Sequence, residues 1–405
     1  MNFTASLALA ALFAALGCSQ QFADPIGGAP IDTNDPCSAW TTEEQCRSDA
    51  QHGCSVQPNP IGCRSSDASC PASSCISGDP FVRRTGTTLS LASQPYRFVG
   101  ANSWGAAWAA GGCRISEFPD AESAVTRVFD DLVELNARVL RVWAFQSYAG
   151  VTGADYSAFE RLVSHAKRAG VRLIFVLENQ YSDCTRGART DDWFRSGYAM
   201  SYGGYTLSYP DYVNQLVQHF RDEPAILAWE LLHEGGSDDF AAMDDFVERM
   251  STLIRVADPN HLIAIGVNNG YSTGTSNQGV NSSYAELHAH PTVDLVDVHD
   301  FDAPNESITE QVATNSSIAA ALGKPILLGA IGVKLEDPSA AAFERRAASV
   351  RAKLTTAYER GFVGALLYDY YPDWRTPSYN FDSRSGDPLG GNQGVLAEFA
   401  RQFQK

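Results

Sequence analysis

The sequence predicts an α/β protein: a (β/α)8 (TIM) barrel preceded by a small disulfide-rich N-terminal module. Three observations lead there. Eight short, near-continuous apolar runs lie between residues 97 and 368, with amphipathic stretches between most of them. Strands apolar on both faces belong to a parallel sheet covered by helices. The segment 81–405 has the length of such a barrel with enlarged loops. Six of the nine cysteines crowd between Cys37 and Cys75, ahead of that segment. An open, doubly wound sheet is the alternative. It is disfavoured because no Gly-x-Gly-x-x-Gly turn follows the first apolar run.

From Phe3 to Gly17 the chain is almost wholly apolar and small, too short for a span but right for the apolar part of a signal peptide. It runs into Ala15-Leu16-Gly17-Cys18, which looks like a bacterial lipoprotein cleavage box, although Met1-Asn2-Phe3-Thr4 carries no Lys or Arg. Residues 1–18 are therefore expected to direct export to the cell envelope or medium. A lipid on Cys18 would be the only membrane attachment; an ordinary secretory signal is the alternative. Residues 19–36, with their Gly, Pro, Asp and Asn, read as a linker. Residues 37–78 hold too little apolar material for a core and are expected to be stapled by bridges. Without Cys18 the nine cysteines become eight, an even number. Cys37, Cys46, Cys54, Cys63, Cys70 and Cys75 would form three bridges of unreadable connectivity, and Cys113 with Cys184 is a candidate fourth. The wide spacings do not match the short Cys-x-x-Cys pairs of zinc sites.

In the main domain, 81–405, the expected strands are 97–101, 139–143, 172–177, 226–231, 262–267, 295–299, 325–328 and 365–368. The expected helices are 121–135, 156–169, 211–220, 240–256, 308–322 and 340–360. The connection after the fifth strand is weak, and 276–281 reads as loop.

Lys+Arg 30 against Asp+Glu 47 gives a net charge of −17, which argues against a nucleic-acid partner, since phosphate binding needs a basic face. Aromatics at 11% with charged residues at only 19% suit a neutral polar ligand better. No cofactor and no metal are expected: His165, His219, His261, His288 and His290 are scattered, although His288 and His290 could share a strand face. No Gly-x-Ser-x-Gly elbow is present. A monomer is expected.

In a barrel, chemistry sits at the C-terminal strand ends. The second run holds Arg141, a cation that would be costly to bury alone and is expected to meet a carboxylate. The fourth ends Trp229-Glu230-Leu231-Leu232-His233-Glu234. Glu230 is expected to be buried against a barrel cation and Glu234 to line the mouth. The sixth ends Asp297-Val298-His299-Asp300-Phe301 and the eighth Leu367-Tyr368-Asp369-Tyr370. Trp104, Trp108, Trp143, Tyr181, Tyr370 and Trp374 all map to one rim, at or after strand ends, and such rings suit the apolar faces of sugars.

These residues resemble glycoside hydrolase family 5, and within it the endo-β-1,4-mannanases. The resemblance covers most of 90–375. It rests on Gly100-Ala101-Asn102, on Leu135-Asn136 leading to Arg141-Val142-Trp143-Ala144-Phe145, and on the run from Pro224 through Trp229-Glu230-Leu231 to Glu234. His299 and Lys324-Pro325-Ile326-Leu327-Leu328 complete it. The family retains anomeric configuration with two carboxylates, an acid/base Glu after the fourth strand and a nucleophilic Glu after the seventh. The resemblance implies Glu234 as acid/base, with its pKa raised by an apolar site, and Arg141 as supporting cation. His233, His299, Trp104, Trp143, Tyr370 and Trp374 would bind substrate.

Three departures fall together. The family's Asn before the acid/base is His233, its Tyr in His-x-Tyr is Phe301, and its nucleophile position in Leu-Leu-Glu-Glu-Phe-Gly is Ala330 in Leu327-Leu328-Gly329-Ala330-Ile331-Gly332. A methyl group cannot attack an anomeric carbon. Glu336 lies six residues on, out in the loop, and Asp300 or Asp369 are substitute carboxylates for an inverting arrangement. The implied function is an exported glycoside hydrolase-like protein that acts on or binds β-linked, mannan-type polysaccharide, with weak or absent activity. The alternative is an inactive carbohydrate-binding or scaffold surface lipoprotein.

Overall fold

The computed structural model describes residues 54–56, 63–65, 79–115, 118–267, 280–301, 307–371, 378–381, 387–390 and 394–404. The expected signal and lipid site at 1–18, the linker 19–36 and the bridges of 37–78 lie outside these residues. Two short strands of the latter segment are described: β1 (Cys54–Val56) and β2 (Cys63–Ser65) pair antiparallel, with Cys54 opposite Ser65. The chain divides into two compact units, Met1–Pro80 and Phe81–Lys405.

The second unit opens with an antiparallel meander of β3 (Val82–Thr85), β4 (Thr88–Leu91) and β5 (Gln94–Pro95). Arg83 and Arg84 of this meander donate to the carbonyls of Asn260 and Gly323, each at 3.0 Å. Both carbonyls belong to turns that lead into barrel strands. The meander therefore covers the N-terminal end of the barrel and leaves the C-terminal end as the mouth.

The barrel strands are β6 (Phe98–Ser103), β7 (Val139–Trp143), β8 (Arg172–Val176), β9 (Ile226–Glu230), β10 (Leu262–Ala264), β11 (Val296–Phe301), β12 (Ile326–Gly332) and β13 (Gly364–Leu367). Neighbours pair parallel in chain order, β13 returns to pair with β6, and a parallel bridge between Ala264 and Leu295 closes the ring. Every strand residue is buried except Phe301, which is half-buried. That double-sided burial is why the runs are apolar throughout instead of alternating.

The helices are α1 (Ala121–Glu134), α2 (Ser157–Ala169), α3 (Asp191–Arg195), α4 (Tyr209–Phe220), α5 (Phe240–Ala257), α6 (Val280–Ala289), α7 (Glu310–Leu322), α8 (Ala340–Glu359) and α9 (Val395–Phe403). On α2 the buried Ala158, Phe159, Leu162, Val163 and Ala166 form one stripe at helical spacing, and Gly170 ends it in the left-handed conformation. Ser208, Asp239, Thr309 and Ser339 each accept a backbone N–H at the start of α4, α5, α7 and α8, worth about 1 kcal/mol apiece. None of the described helices is long and apolar enough to cross a membrane.

Two elements depart from expectation. The weak fifth connection holds a helix, α6, so His288 lies on a helix and not on a strand face with His290. Helix α9 was unforeseen. It buries Val395, Leu396, Phe399, Ala400 and Phe403, with the Arg97 guanidinium 4.7 Å from the Phe403 ring.

Candidate active site

Arg141 projects from β7 and is wholly buried, as is Glu230 at the end of β9. Its Nε donates to Glu230 Oε2 at 2.9 Å and its Nη2 to Oε1, a two-pronged pairing. Nη1 donates to Asn102 Oδ1 at 2.9 Å, and Asn102 Nδ2 in turn donates to the Gly329 carbonyl at 2.8 Å. One buried cation thus ties β7, β9, β6 and β12 together. Burial lifts the Glu230 carboxyl above its ordinary range, with Asp297 adding to the effect and Arg141 pulling against it. Gly266 makes the close approach possible. A Cβ there would lie 1.8 Å from the Leu232 carbonyl oxygen and 2.3 Å from Glu230 Oε1.

Beyond Glu230 the chain turns sharply, and Glu234 has φ +54°, a conformation a non-glycine residue rarely takes without reason. The turn presents its carboxylate, 18% exposed, at the mouth. Oε1 meets His299 Nδ1 at 2.8 Å, and the Tyr181 hydroxyl donates to Oε2 at 3.0 Å. Burial by itself raises the Glu234 carboxyl, but the hydrogen bond and charge of His299, with the Tyr181 hydroxyl, hold it well below the usual carboxylate range. The expectation of an acid with raised pKa is therefore corrected. In this setting Glu234 is an ionised acceptor.

His299 is buried on β11, with Nε2 3.4 Å from Asp297 Oδ2. Burial works against its charge, but Asp297 and Glu234 together raise its pKa to about 9. His233 is the opposite case. Burial and the nearby Arg141 charge hold it well below the ordinary imidazole value, so it is neutral, with Nδ1 3.2 Å from Arg141 Nη2. The Trp143 ring lies 4.6 Å from His233 and beneath the Arg141 guanidinium at 5.0 Å.

The structure therefore brings Arg141, His233, Glu234, His299 and Trp143 together. Trp104, half-buried after β6, stacks on Tyr371 at 5.2 Å. Tyr370 is turned away: it is buried, and its hydroxyl reaches Asp131 on α1. The strand ends at Leu367, so in-and-out alternation no longer governs position 370. Asp300 is buried on the outer face of β11 and accepts from Lys353 Nζ of α8 at 2.9 Å, which removes it as a substitute carboxylate. Asp369 is 1% exposed, and burial pushes it well above the usual carboxylate range against the pull of Trp104. Trp374 lies outside the described residues.

Ala330 is fully buried on β12 and pairs in register with His299. Asp297 and Tyr368 escaped the sequence reading. Asp297 precedes His299 by two residues on the same strand, a spacing that puts both on one face. Tyr368 lies close enough for the charges of Glu234 and Arg141 to act on its hydroxyl. The Cys113–Cys184 disulfide joins the loop after β6 to the loop after β8 and braces one side of the mouth. Among the described residues, no group of three or more His, Cys, Asp or Glu is placed to hold a metal ion.

A family model described as cellulase (glycosyl hydrolase family 5) matches residues 113–368. Mannan endo-1,4-beta-mannosidase 7 of Arabidopsis thaliana is 24% identical over 334 residues, spanning 70% of this chain and 76% of that protein. Mannan endo-1,4-beta-mannosidase 5 of Solanum lycopersicum is 26% identical over 305 residues, spanning 64% of this chain and 72% of that protein. In fold, the endo-beta-1,4-mannanase of Thermotoga petrophila superposes with TM-score 0.59 at 22% identity, over 76% of this chain and 77% of that one. The endo-1,4-beta-mannanase of Rhizomucor miehei gives 0.61 at 18% identity, over 80% and 99%. The chain belongs to glycosyl hydrolase family 5 and resembles that family's mannan endo-1,4-beta-mannosidases.

Proposed function

We propose that this protein binds a β-mannan-type polysaccharide at the barrel mouth and hydrolyses it weakly or not at all. The observation that supports this reading is Ala330 on β12, buried and paired with the His299 of β11 that meets Glu234. By the family's Leu-Leu-Glu-Glu-Phe-Gly pattern, the methyl group of Ala330 takes the place of the nucleophilic carboxylate. Loss of a covalent nucleophile elsewhere costs on the order of 10⁶-fold in rate. The hydrogen bonds that Glu234 accepts from His299 and Tyr181, which hold its carboxyl well below the usual range, favour an acceptor of hydrogen bonds over a proton donor. What remains suits recognition. Glu234 can accept from sugar hydroxyls, Tyr181 is 41% exposed beside it, and the half-buried Trp104 offers an aromatic edge. Export as a monomer, with Cys18 as lipid site, completes the proposal. The Cys113–Cys184 disulfide supports an oxidising destination.

Affinity electrophoresis in mannan, glucomannan and cellulose tests binding, and reducing-sugar release from the same polymers tests hydrolysis. The expected result is retardation in mannan with little sugar released. Vigorous release by the wild type, lost in Glu234→Gln, contradicts the proposal.

A further inference from the structure

Asp297, His299 and Glu234 form a line of charge along the wall between β9 and β12. On β11, Asp297 and His299 face the barrel interior, while Asp300 faces outward to Lys353. The two imidazole nitrogens each look at a carboxylate: Nδ1 at Glu234, 2.8 Å away, and Nε2 at Asp297, 3.4 Å away. A neutral imidazole has one N–H and could donate to only one of them. A cation has two: one is donated to Glu234, and the other side of the ring carries its charge within ion-pair distance of Asp297. The remaining titratable groups near it are Arg141 and Glu230, already paired with each other, and the neutral His233. Tyr181 donates to Glu234 from the loop after β8, Tyr368 just past β13 lies within reach of the Glu234 charge, and Ala330 of β12, which pairs with His299, carries no charge. The Asp297 carboxylate also fills the wall beside Ala330, since a Cβ at Gly329 would lie 1.9 Å from Asp297 Oδ1.

We propose that Asp297 is a positioning residue that holds His299 as an imidazolium across the mouth and supplies, from the sixth barrel strand, the negative charge absent at Ala330. Glu234 is thereby fixed as an acceptor of hydrogen bonds from ligand hydroxyls and is kept from acting as a proton donor. Replacing Ala330 with Glu alone would set three carboxylates around one imidazolium. The inference rests on the proposed glycan function only for the identity of the ligand; the role of Asp297 stands apart from it.

The test is an NMR titration of the His299 ring between pH 5 and 10, assigned with His299→Gln. In the wild type the midpoint is expected near pH 9. Asp297→Asn is expected to lower it by at least one pH unit, and the conservative Asp297→Glu to keep it high. An unchanged midpoint in Asp297→Asn overturns the proposal. So does a wild-type midpoint at or below 6.5, a measurement that does not need the variant to fold. Mannohexaose affinity followed over the same range is expected to stay flat from pH 6 to 8 and to weaken at least threefold above pH 9. Failure to bind mannohexaose at any pH overturns the glycan reading and leaves the histidine midpoint to decide the role of Asp297.

Discussion

His299 couples stability to pH in a way the geometry makes quantitative. Its pKa rises from an ordinary 6.5 to about 9 on folding because both ring nitrogens face carboxylates. Each unit is worth 1.36 kcal/mol, so the charged form contributes about 3 kcal/mol to the folded state. A raised folded-state pKa fixes the sign: the contribution is complete below pH 6.5 and is lost as pH climbs through 9. Buried Lys324 runs the other way. Burial lowers its pKa to about 8, so its burden is relieved as pH rises above that value. Urea unfolding of wild type and His299→Gln at several pH values separates the two, because the difference between the proteins cancels Lys324. That difference should shrink by about 3 kcal/mol between pH 6 and pH 10. A difference constant across this range would refute the imidazolium and with it the fixed charge of Glu234.

Three further outcomes follow from the packing. Lys353→Met leaves the buried Asp300 without its cation and should cost about 3–5 kcal/mol by chemical denaturation, most of it recovered in Lys353→Met/Asp300→Leu. Removing the Cys113–Cys184 disulfide as a double Ser variant releases a link across a sequence separation of 71 and should cost about 4 kcal/mol by loop entropy, read from calorimetry. Gly329→Ala drives a methyl into Asp297 and should destabilise by about 1–3 kcal/mol, with relief when combined with Asp297→Ser.

The ring of strands was legible because each strand is buried on both faces, which leaves an unbroken apolar run for every strand. Helix α6 was not, since its Asn, Ser and His residues weaken the apolar stripe a reader looks for. The mouth was legible where chemistry is unusual for its place: an Arg inside a strand and a Glu just past one. Misreadings came from treating strand ends as if all side chains there pointed one way. Asp300 sits next to His299, and period-two alternation sends it outward. The same alternation keeps Asp297 with His299, a signal present in Asp297-Val298-His299-Asp300 itself. Tyr370 lies past the last paired residue of β13, where alternation lapses and the Asp131 carboxylate on α1 captures its hydroxyl. The ionisation of Glu234 could not be read from sequence, because it depends on His299 arriving from two strands away.

The most direct test of the account is to hold the purified protein with mannohexaose and follow both bound ligand and products by mass spectrometry. A saturable complex with intact hexasaccharide, unchanged after prolonged incubation, is the predicted result. Steady accumulation of shorter oligosaccharides that stops in Glu234→Gln would contradict it.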